Sequence, residues 1–211
     1  LGILEDGYGI NMLPLATFAL DTYAEDDCKC FELKEKNQVS DRENEMVMKM
    51  HKAIVILKFK LEGQIAMARA DFGLQDRCLL HLIDYEKGTI VLEGKEYELL
   101  DKNFPTINPE NPYTLTEEEA DVMKRLRNSF LHCEKLQRHV QFLYSTGGMY
   151  LRCNGNLLYH GCIPMYEDGS FAPIPVTGSE KLCGRAGIDA ADLLARQGYF
   201  ATLGSKSRQD G

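Results

Sequence analysis

Apolar side chains recur at helical spacing in three parts of the chain, beginning with residues 13–24. Steps of three and four residues along one face are the pattern of an amphipathic helix. In this first stretch the apolar positions are Leu15, Ala16, Ala19, Leu20 and Tyr23. The pattern predicts a short helix over residues 13–24.

A much longer stripe follows, and it starts with a helix-capping signal. Ser40 and Glu43 have the spacing of a capping box, in which each residue satisfies a free backbone amide of the other. The stripe then runs through Met46, Met50, Ile54, Leu57, Leu61, Ile65, Ala68 and Phe72. Gly73 is the expected stop, which predicts a continuous helix of about 48 Å.

The middle of the chain changes from helical to turn-rich patterning. Two apolar runs within residues 88–100 flank Glu93-Gly94, which predicts a β-hairpin with a two-residue turn. Residues 103–113 hold three prolines and three asparagines, so we expect a loop without regular structure.

A second capping box, Thr116 with Glu119, opens the third helical stripe. Its apolar positions are Met123, Leu126, Phe130, Cys133, Leu136, Val140 and Leu143. They predict one helix that ends before Gly147-Gly148. The two long helices and the ribbon between them suggest a protruding helical hairpin that serves as an inserted cap or an oligomer contact. The stripes do not distinguish that arrangement from packing into one ordinary helical core.

Composition and charge narrow the class of protein. A hydrophobic content of 44% in 211 residues is sufficient for a core, and no apolar run approaches the roughly 20 residues of a membrane span. A net charge of -8 argues against nucleic-acid binding, which depends on clustered cations. The seven cysteines are scattered without Cys-x-x-Cys spacing, so we expect reduced thiols in a cytoplasmic protein. Together with the apolar runs and the charge, this predicts a protein that binds neither membrane nor nucleic acid.

The segment around His160 is the candidate for chemistry. The apolar run Leu157–Tyr159 reads as a buried strand, after which His160 and Gly161 form a turn that Pro164 closes. A strand end of this kind can present an imidazole to a metal ion. On these residues alone, an ordinary loop histidine remains the alternative.

The wider segment carries a family resemblance. Residues 148–151, 160–164 (His-Gly-Cys-Ile-Pro) and 167–169 are similar to those of class 3, Firmicutes-type, fructose-1,6-bisphosphatases, members of the calcineurin-like metallophosphoesterases. Further matches lie at residues 5–11, 14–19 and 191–197, so the resemblance covers most of the chain.

The resemblance implies an α+β fold, in which parts of a calcineurin-like αββα core surround a long helical hairpin insertion and a small β-ribbon. Residues 1–38 would supply a core helix and 39–146 the insertion, with its hairpin at 88–100. Residues 147–211 would return to the core with the His-Gly turn. Because the other metal-binding motifs of such enzymes are missing from the sequence, and the chain ends on the polar run 205–211, we expect an internal piece of a longer enzyme.

The resemblance also implies a reaction. It is the hydrolysis of fructose 1,6-bisphosphate to fructose 6-phosphate and phosphate, a step of gluconeogenesis. A dinuclear centre, expected to hold Mn²⁺ and completed by residues outside this chain, would use His160 as a ligand. Arg152 and Arg185, which follows the loop 173–178, are candidate substrate-binding residues, and no catalytic residue is assigned. We expect the enzyme to be a homo-oligomer and the isolated piece to be inactive.

Two other functions remain open at this point. The chain could be a non-catalytic helical module for oligomerisation or regulation, with a coincidental His-Gly turn. It could also belong to another calcineurin-like phosphatase, which acts on proteins or nucleotides.

Overall fold

The computed structural model describes residues 2–32, 40–174, 176 and 181–202, which form two compact units, Leu1–Cys133 and Glu134–Gly211. Both combine helices with small antiparallel sheets, which confirms the α+β class. Helices α1 to α6 are Gly2–Tyr8, Leu13–Thr22, Asp41–Ala68, Glu117–His132, Glu134–Thr146 and Gly184–Phe200. Strands β1 to β7 are Ile83–Asp84, Thr89–Leu92, Lys95–Glu98, Tyr150–Cys153, Asn156–Tyr159, Pro173–Ile174 and Leu182–Cys183. The domain limits expected from the sequence stay a prediction, and the one at 38–39 lies outside the described residues, as does the run 205–211.

Helix α3 begins where the capping signal predicts but ends earlier. The Ser40 hydroxyl accepts the Glu43 amide at 3.3 Å, and the Glu43 carboxylate accepts the Ser40 amide at 2.9 Å. The helix stops at Ala68, and a tighter turn over Ala70–Phe72 leads to Gly73 at φ 64°. Arg69 stabilises that turn, because its guanidinium binds the Asp71 carboxylate at 2.8 Å and lies 3.8 Å from the centre of the Phe72 ring.

The buried face of α3 is broader than its apolar stripe and includes lysines. Met50 and Leu57 of the stripe are buried, whereas Ile65 and Phe72 at its end are 52% and 41% exposed. The buried face instead contains three lysines that are 3% exposed or less, namely Lys49, Lys52 and Lys60. Burying an ammonium group without partners is prohibitively unfavourable, so the partners of these lysines explain how the helix packs.

Lys60 joins α3 to the start of α4. The side chains of Lys60 and Glu119 are 0% and 1% exposed, and their Nζ and Oε2 atoms are 2.6 Å apart. The same ammonium donates to the Thr106 carbonyl at 2.6 Å, while Glu119 also accepts the Thr116 amide at 2.8 Å as part of its capping box. One buried ion pair therefore fixes the 103–113 loop and the helix that follows it against α3.

Lys52 fixes two other segments in the same way. Its ammonium lies 2.5 Å from Asp26 and 2.7 Å from Asp101, and the Asn103 amide donates to Asp26 at 2.8 Å. Burial of Asp26 favours its neutral form, but hydrogen bonds from Lys52, the Cys28 backbone and Asn103 outweigh that effect and lower its pKa to about 2. The carboxylate is therefore ionised at neutral pH and holds residues 26–28 and 101–103 to the helix.

The predicted hairpin is present and forms part of a three-stranded antiparallel sheet. Glu93 and Gly94, at φ 51° and 77°, make the two-residue turn between β2 and β3. The third strand, β1, pairs Ile83 with Ile90 and was not predicted, since two residues are too few for a detectable pattern.

Residues 103–113 have no regular structure, as predicted, yet they pack closely on α3. The Tyr113 ring lies over Gly63, where an added Cβ would be only 2.1 Å from a ring carbon. Tyr113 belongs to a buried cluster whose other members are Ile56, Ala66, Cys78, Leu80 and Ile107. The loop thus completes the core of the first unit.

The prediction of one helix from Thr116 to Leu143 is wrong. Cys133 is extended, with φ −78° and ψ 95°, and separates α4 from α5. Its Sγ donates to the Tyr8 carbonyl at 3.1 Å, a tertiary contact that a helical Cys133 would change. The apolar period continues across the break, so the sequence pattern does not show it. The helical hairpin is not confirmed, because α2 packs against both α3 and α4.

In the second unit, α6 packs against β6 and β7 and also contacts the end of α5. The rings of Tyr144 and Tyr199 stack with centres 4.1 Å apart, and the Arg196 guanidinium donates to the backbone carbonyls of Tyr144 and Gly147. Among its described residues only three are buried, and all are glycines of α6: Gly184, Gly187 and Gly198. No described helix of either unit is long and apolar enough to cross a membrane.

Candidate functional site

The candidate site residues lie on or beside a two-stranded ribbon, β4–β5. Asn154 and Gly155, at φ 50° and 76°, form its turn, and Tyr150 pairs with Tyr159 at its open end. Strand β4 was missed in the sequence, although Asn-Gly is a strong signal for such a turn. Arg152 lies inside β4, opposite Leu157.

Both faces of the ribbon are open to solvent in this chain. Residues paired across antiparallel strands share a face, so Tyr150, Arg152, Leu157 and Tyr159 lie on one side of the ribbon. Leu151, Cys153, Asn156 and Leu158 lie on the other. Leu157 and Leu158 are 50% and 53% exposed, so the prediction of a buried strand is wrong for this chain. No described residue of the second unit supplies a buried apolar layer above either face.

Arg152 and Arg185 line the same cavity, which we call the arginine cavity. Its volume is about 250 Å³, and it is lined by Tyr150, Arg152, Leu157, Tyr159, Ile163, Phe171, Gly184, Arg185 and Ile188. Arg185 stands in the first turn of α6, where the Tyr150 phenol and the Asp189 carboxylate raise its pKa. Arg152 has no ionic or hydrogen-bond partner among the described residues. Of the loop 173–178, residues 175 and 177–178 lie outside the described part of the chain.

The start of α6 shapes one wall of the arginine cavity. Gly184 has φ 51°, and a Cβ on it would lie 3.0 Å from the Phe171 ring. A larger residue at this position would push Phe171 away from α6. The glycine therefore lets an aromatic ring, a helix N-terminus and Arg185 meet at one place.

His160 follows β5 directly, as predicted, and Gly161 after it has φ 95°. The imidazole is exposed and lines a second cavity of about 750 Å³, the histidine cavity, together with Met149, Leu151 and Leu158. Tyr150 and Tyr159 line both cavities. The structure thus places Arg152 in the ribbon, His160 directly after it and Arg185 in α6, with the two arginines in one cavity and His160 in the neighbouring one.

The donors around His160 do not form a complete metal site. Within the ranges that the structure describes, no group of three or more His, Cys, Asp or Glu side chains converges as metal ligands would. The His160 ring also has no hydrogen-bond partner there to fix its tautomer. A lone accessible imidazole can supply one ligand, so it fits a centre whose other donors come from elsewhere.

Comparison with known proteins gives a consistent family. The family model described as Firmicute fructose-1,6-bisphosphatase matches residues 1–211. A protein of Alkaliphilus metalliredigens named fructose-1,6-bisphosphatase class 3 is 52% identical over 214 residues, which cover 100% of this chain and 32% of that protein. Proteins of the same name from Listeria monocytogenes and Clostridium novyi are 49% and 50% identical over 99% of this chain.

The alignments cover all or nearly all of this chain but only part of each relative. The chain spans about a third of the length of these curated relatives, 32% of the Listeria protein and 31% of the Clostridium protein. No solved structure matches the chain. With the family model matching every residue, the chain belongs to the Firmicute fructose-1,6-bisphosphatase family.

Proposed function

We propose that this chain forms part of a metal-dependent phosphatase that hydrolyses fructose 1,6-bisphosphate to fructose 6-phosphate and phosphate. The observation that carries the proposal is the family match along the whole chain, shared with relatives named fructose-1,6-bisphosphatase class 3. Because the chain corresponds to about a third of those relatives, most of the active site would come from polypeptide outside these residues.

The arginine cavity is the part of the chain best suited to a substrate phosphate. It combines two guanidinium groups, of which Arg185 also pairs with the Asp189 carboxylate at 3.3 Å. Arg152 has free donors among the described residues, and guanidinium groups bind phosphate oxygens through paired hydrogen bonds. The tyrosine hydroxyls at its rim can bind sugar hydroxyls.

His160 would contribute one ligand to a divalent-metal centre. Mixed imidazole and carboxylate ligands suit Mn²⁺, which when bound activates water and neutralises phosphoryl charge. The imidazole must be deprotonated to coordinate a metal ion. The carboxylates would be supplied by the remaining polypeptide, as expected of a calcineurin-like core.

The family match also supports proposals on the rest of the fold, the oligomeric state and the cellular location. We propose a calcineurin-like core to which the second unit contributes the β4–β5 ribbon. The first unit, which has its own buried cluster and none of the three candidate residues, would support a homo-oligomer. The site is proposed to work in the cytoplasm on a small sugar bisphosphate.

Two rival functions lead to different measurements. The independent core of the first unit is compatible with a non-catalytic module, and the resemblance to calcineurin-like enzymes is compatible with a phosphatase for proteins or nucleotides. We favour the sugar bisphosphatase because the matched relatives share that name.

A chimera tests the activity directly. In it, this chain replaces the matching third of the Alkaliphilus metalliredigens relative, and phosphate release is measured with Mn²⁺. We expect release from fructose 1,6-bisphosphate and little from fructose 6-phosphate, a nucleoside monophosphate or a phosphopeptide. Equal or greater release from the last two would favour a rival phosphatase. A folded chimera without any activity, beside an active parent enzyme, would favour the non-catalytic module.

Arginine variants of the chimera test the phosphate contacts. We expect Arg152→Gln and Arg185→Gln each to raise KM for fructose 1,6-bisphosphate by about tenfold, because each removes a charge-assisted hydrogen bond. Arg138→Gln is the matched control, since Arg138 is an exposed arginine of the same unit outside both cavities. Unaltered KM in Arg152→Gln and Arg185→Gln would exclude the arginine cavity as a substrate site.

A further inference from the structure

One face of the β4–β5 ribbon is mostly apolar and exposed to solvent, with Asn156 as its polar member. Leu151 and Leu158 stand opposite each other on this face and are 60% and 53% exposed, and Cys153 beside them is also exposed. Met149 lies just before the ribbon, and its side chain is 43% exposed. Adjacent side chains of this kind form a continuous apolar surface of the type that marks an interaction site.

The ribbon also has unused backbone groups. Strands β4 and β5 pair only with each other among the described strands, so each has an open edge. An isolated two-stranded ribbon is marginally stable in water and is normally completed by a further strand or a packed layer. The described part of the second unit has no buried apolar side chain, so it does not provide that layer.

The size of the relatives indicates which partner provides it. About two thirds of each relative lies outside the matched region, since the chain covers 31% or 32% of their length. The first unit, in contrast, has a core of buried apolar side chains, although it also exposes some large ones. The chain corresponds to about a third of each relative, so the exposed face of the ribbon would be covered by the other two thirds in a protein of the relatives' length.

We infer that the face defined by Leu151, Cys153 and Leu158 is a docking surface for polypeptide of the same protein that lies outside these 211 residues. The docking polypeptide would cover this face with apolar side chains, and an extended segment of it would pair with an open edge of the ribbon. Leu151 and Leu158 line the histidine cavity, so the same segment would close that cavity and hold its donors near His160. This inference rests on the proposed placement of the ribbon in a core completed by the remaining polypeptide, but not on the reaction itself.

Cys153 reports on the docking because its thiol lies on the inferred face. The labelling rate of each cysteine with iodoacetamide is measured by peptide mass spectrometry, in the chain alone and in the chimera with the Alkaliphilus metalliredigens relative. We expect Cys153 to react at least about tenfold more slowly in the chimera, since covered thiols react only through local opening. Cys28 and Cys78 are buried in the first unit and serve as controls that should stay slow in both proteins.

Hydrogen exchange tests the same inference without a chimera. Hydrogen exchange is compared between the intact Alkaliphilus metalliredigens relative and its excised matching third, over the segment aligned with residues 150–159. We expect protected amides in the intact protein and rapid exchange in the excised third. Equal exchange in the intact protein and the excised third would overturn the inference. So would equal labelling rates of Cys153 in the chain alone and in the chimera, provided that Cys28 and Cys78 stay protected in both. Protection of Cys153 in the chain alone that rises with concentration would also overturn it, because a second copy would then be the partner.

Discussion

Lys60 and Glu119 form the most deeply buried ion pair in the described part of the first unit. Both side chains are almost fully removed from solvent, and the Lys60 ammonium also holds the Thr106 carbonyl. A buried pair contributes little compared with apolar residues of the same shape, but either charge left alone is strongly destabilising. The effect of a substitution should therefore depend on whether the partner remains charged.

Replacing Lys60 by Met tests this pair. We expect Lys60→Met to lower the free energy of unfolding by about 3–5 kcal/mol, since Glu119 would stay buried without its cation. The double variant Lys60→Met with Glu119→Leu should recover much of that loss. Urea unfolding of the chain measures both. A single variant as stable as the original, or a double variant worse than the single one, would contradict the pairing.

Asp26 gives the chain a defined response to acid. Its pKa is about 2 in the folded chain against a usual value of 3.8, so the ionised carboxylate stabilises the folded state above about pH 4. That contribution, about 2 kcal/mol by linkage, is lost as the pH falls from about 4 to 2. We expect the Asp26→Asn variant to be less stable at pH 7 and to lack this part of the pH dependence. Urea midpoints at pH values from 2 to 7 check it, and parallel curves for both proteins would contradict it.

At the scale of elements, the packing of the 103–113 loop on α3 requires a glycine. Alanine in a helix interior is normally more stable than glycine by about 1 kcal/mol. At Gly63 the sign should reverse, because an added Cβ would lie 2.1 Å from the Tyr113 ring. We expect Gly63→Ala to destabilise the chain by about 1–3 kcal/mol.

A double variant separates this clash from helix propensity. With Tyr113→Ala already present, Gly63→Ala should become neutral or stabilising, because the ring is gone. Thermal and urea unfolding of the four proteins give the coupling energy. An unchanged effect of Gly63→Ala in the two backgrounds would show that Tyr113 does not determine the need for glycine.

The sequence predicted an element well where its structure depends only on residues close to it in the chain. Both capping boxes, the Glu93-Gly94 hairpin and the proline-rich loop are found where expected, because each depends on a few neighbouring residues. Cys133 shows the limit of such signals. Its extended conformation coincides with a contact to Tyr8, which is remote in sequence, and the helical period gives no sign of it.

At the scale of the whole molecule, the two units differ in what they bury. The first unit buries apolar side chains together with paired lysines, whereas glycines are the only buried residues in the described part of the second. The sequence pattern of Leu157–Tyr159 is typical of a buried strand, and its exposure here follows from the absence of a covering layer. The sequence therefore indicated burial that this third of the relatives' length does not provide.

The sequence predicted only part of the candidate site, because some of its residues come together through tertiary structure. The position of His160 after a strand follows from local pattern, and the shared cavity of Arg152 and Arg185 follows from tertiary structure that no spacing reveals. Tyr150, Tyr159 and Phe171, which complete the arginine cavity, were missed. The Asn154-Gly155 turn could have identified β4 and thereby placed Tyr150 opposite Tyr159.

Whether His160 is a metal ligand can be measured directly in the chimera. Mn²⁺ content and phosphate release from fructose 1,6-bisphosphate are measured for the chimera and for its His160→Ala variant, with His132→Ala, another exposed histidine, as the control. We expect His160→Ala to reduce metal-dependent release by about two orders of magnitude or more and to weaken Mn²⁺ binding, while His132→Ala changes neither. Unchanged metal content and turnover in His160→Ala would contradict the central claim.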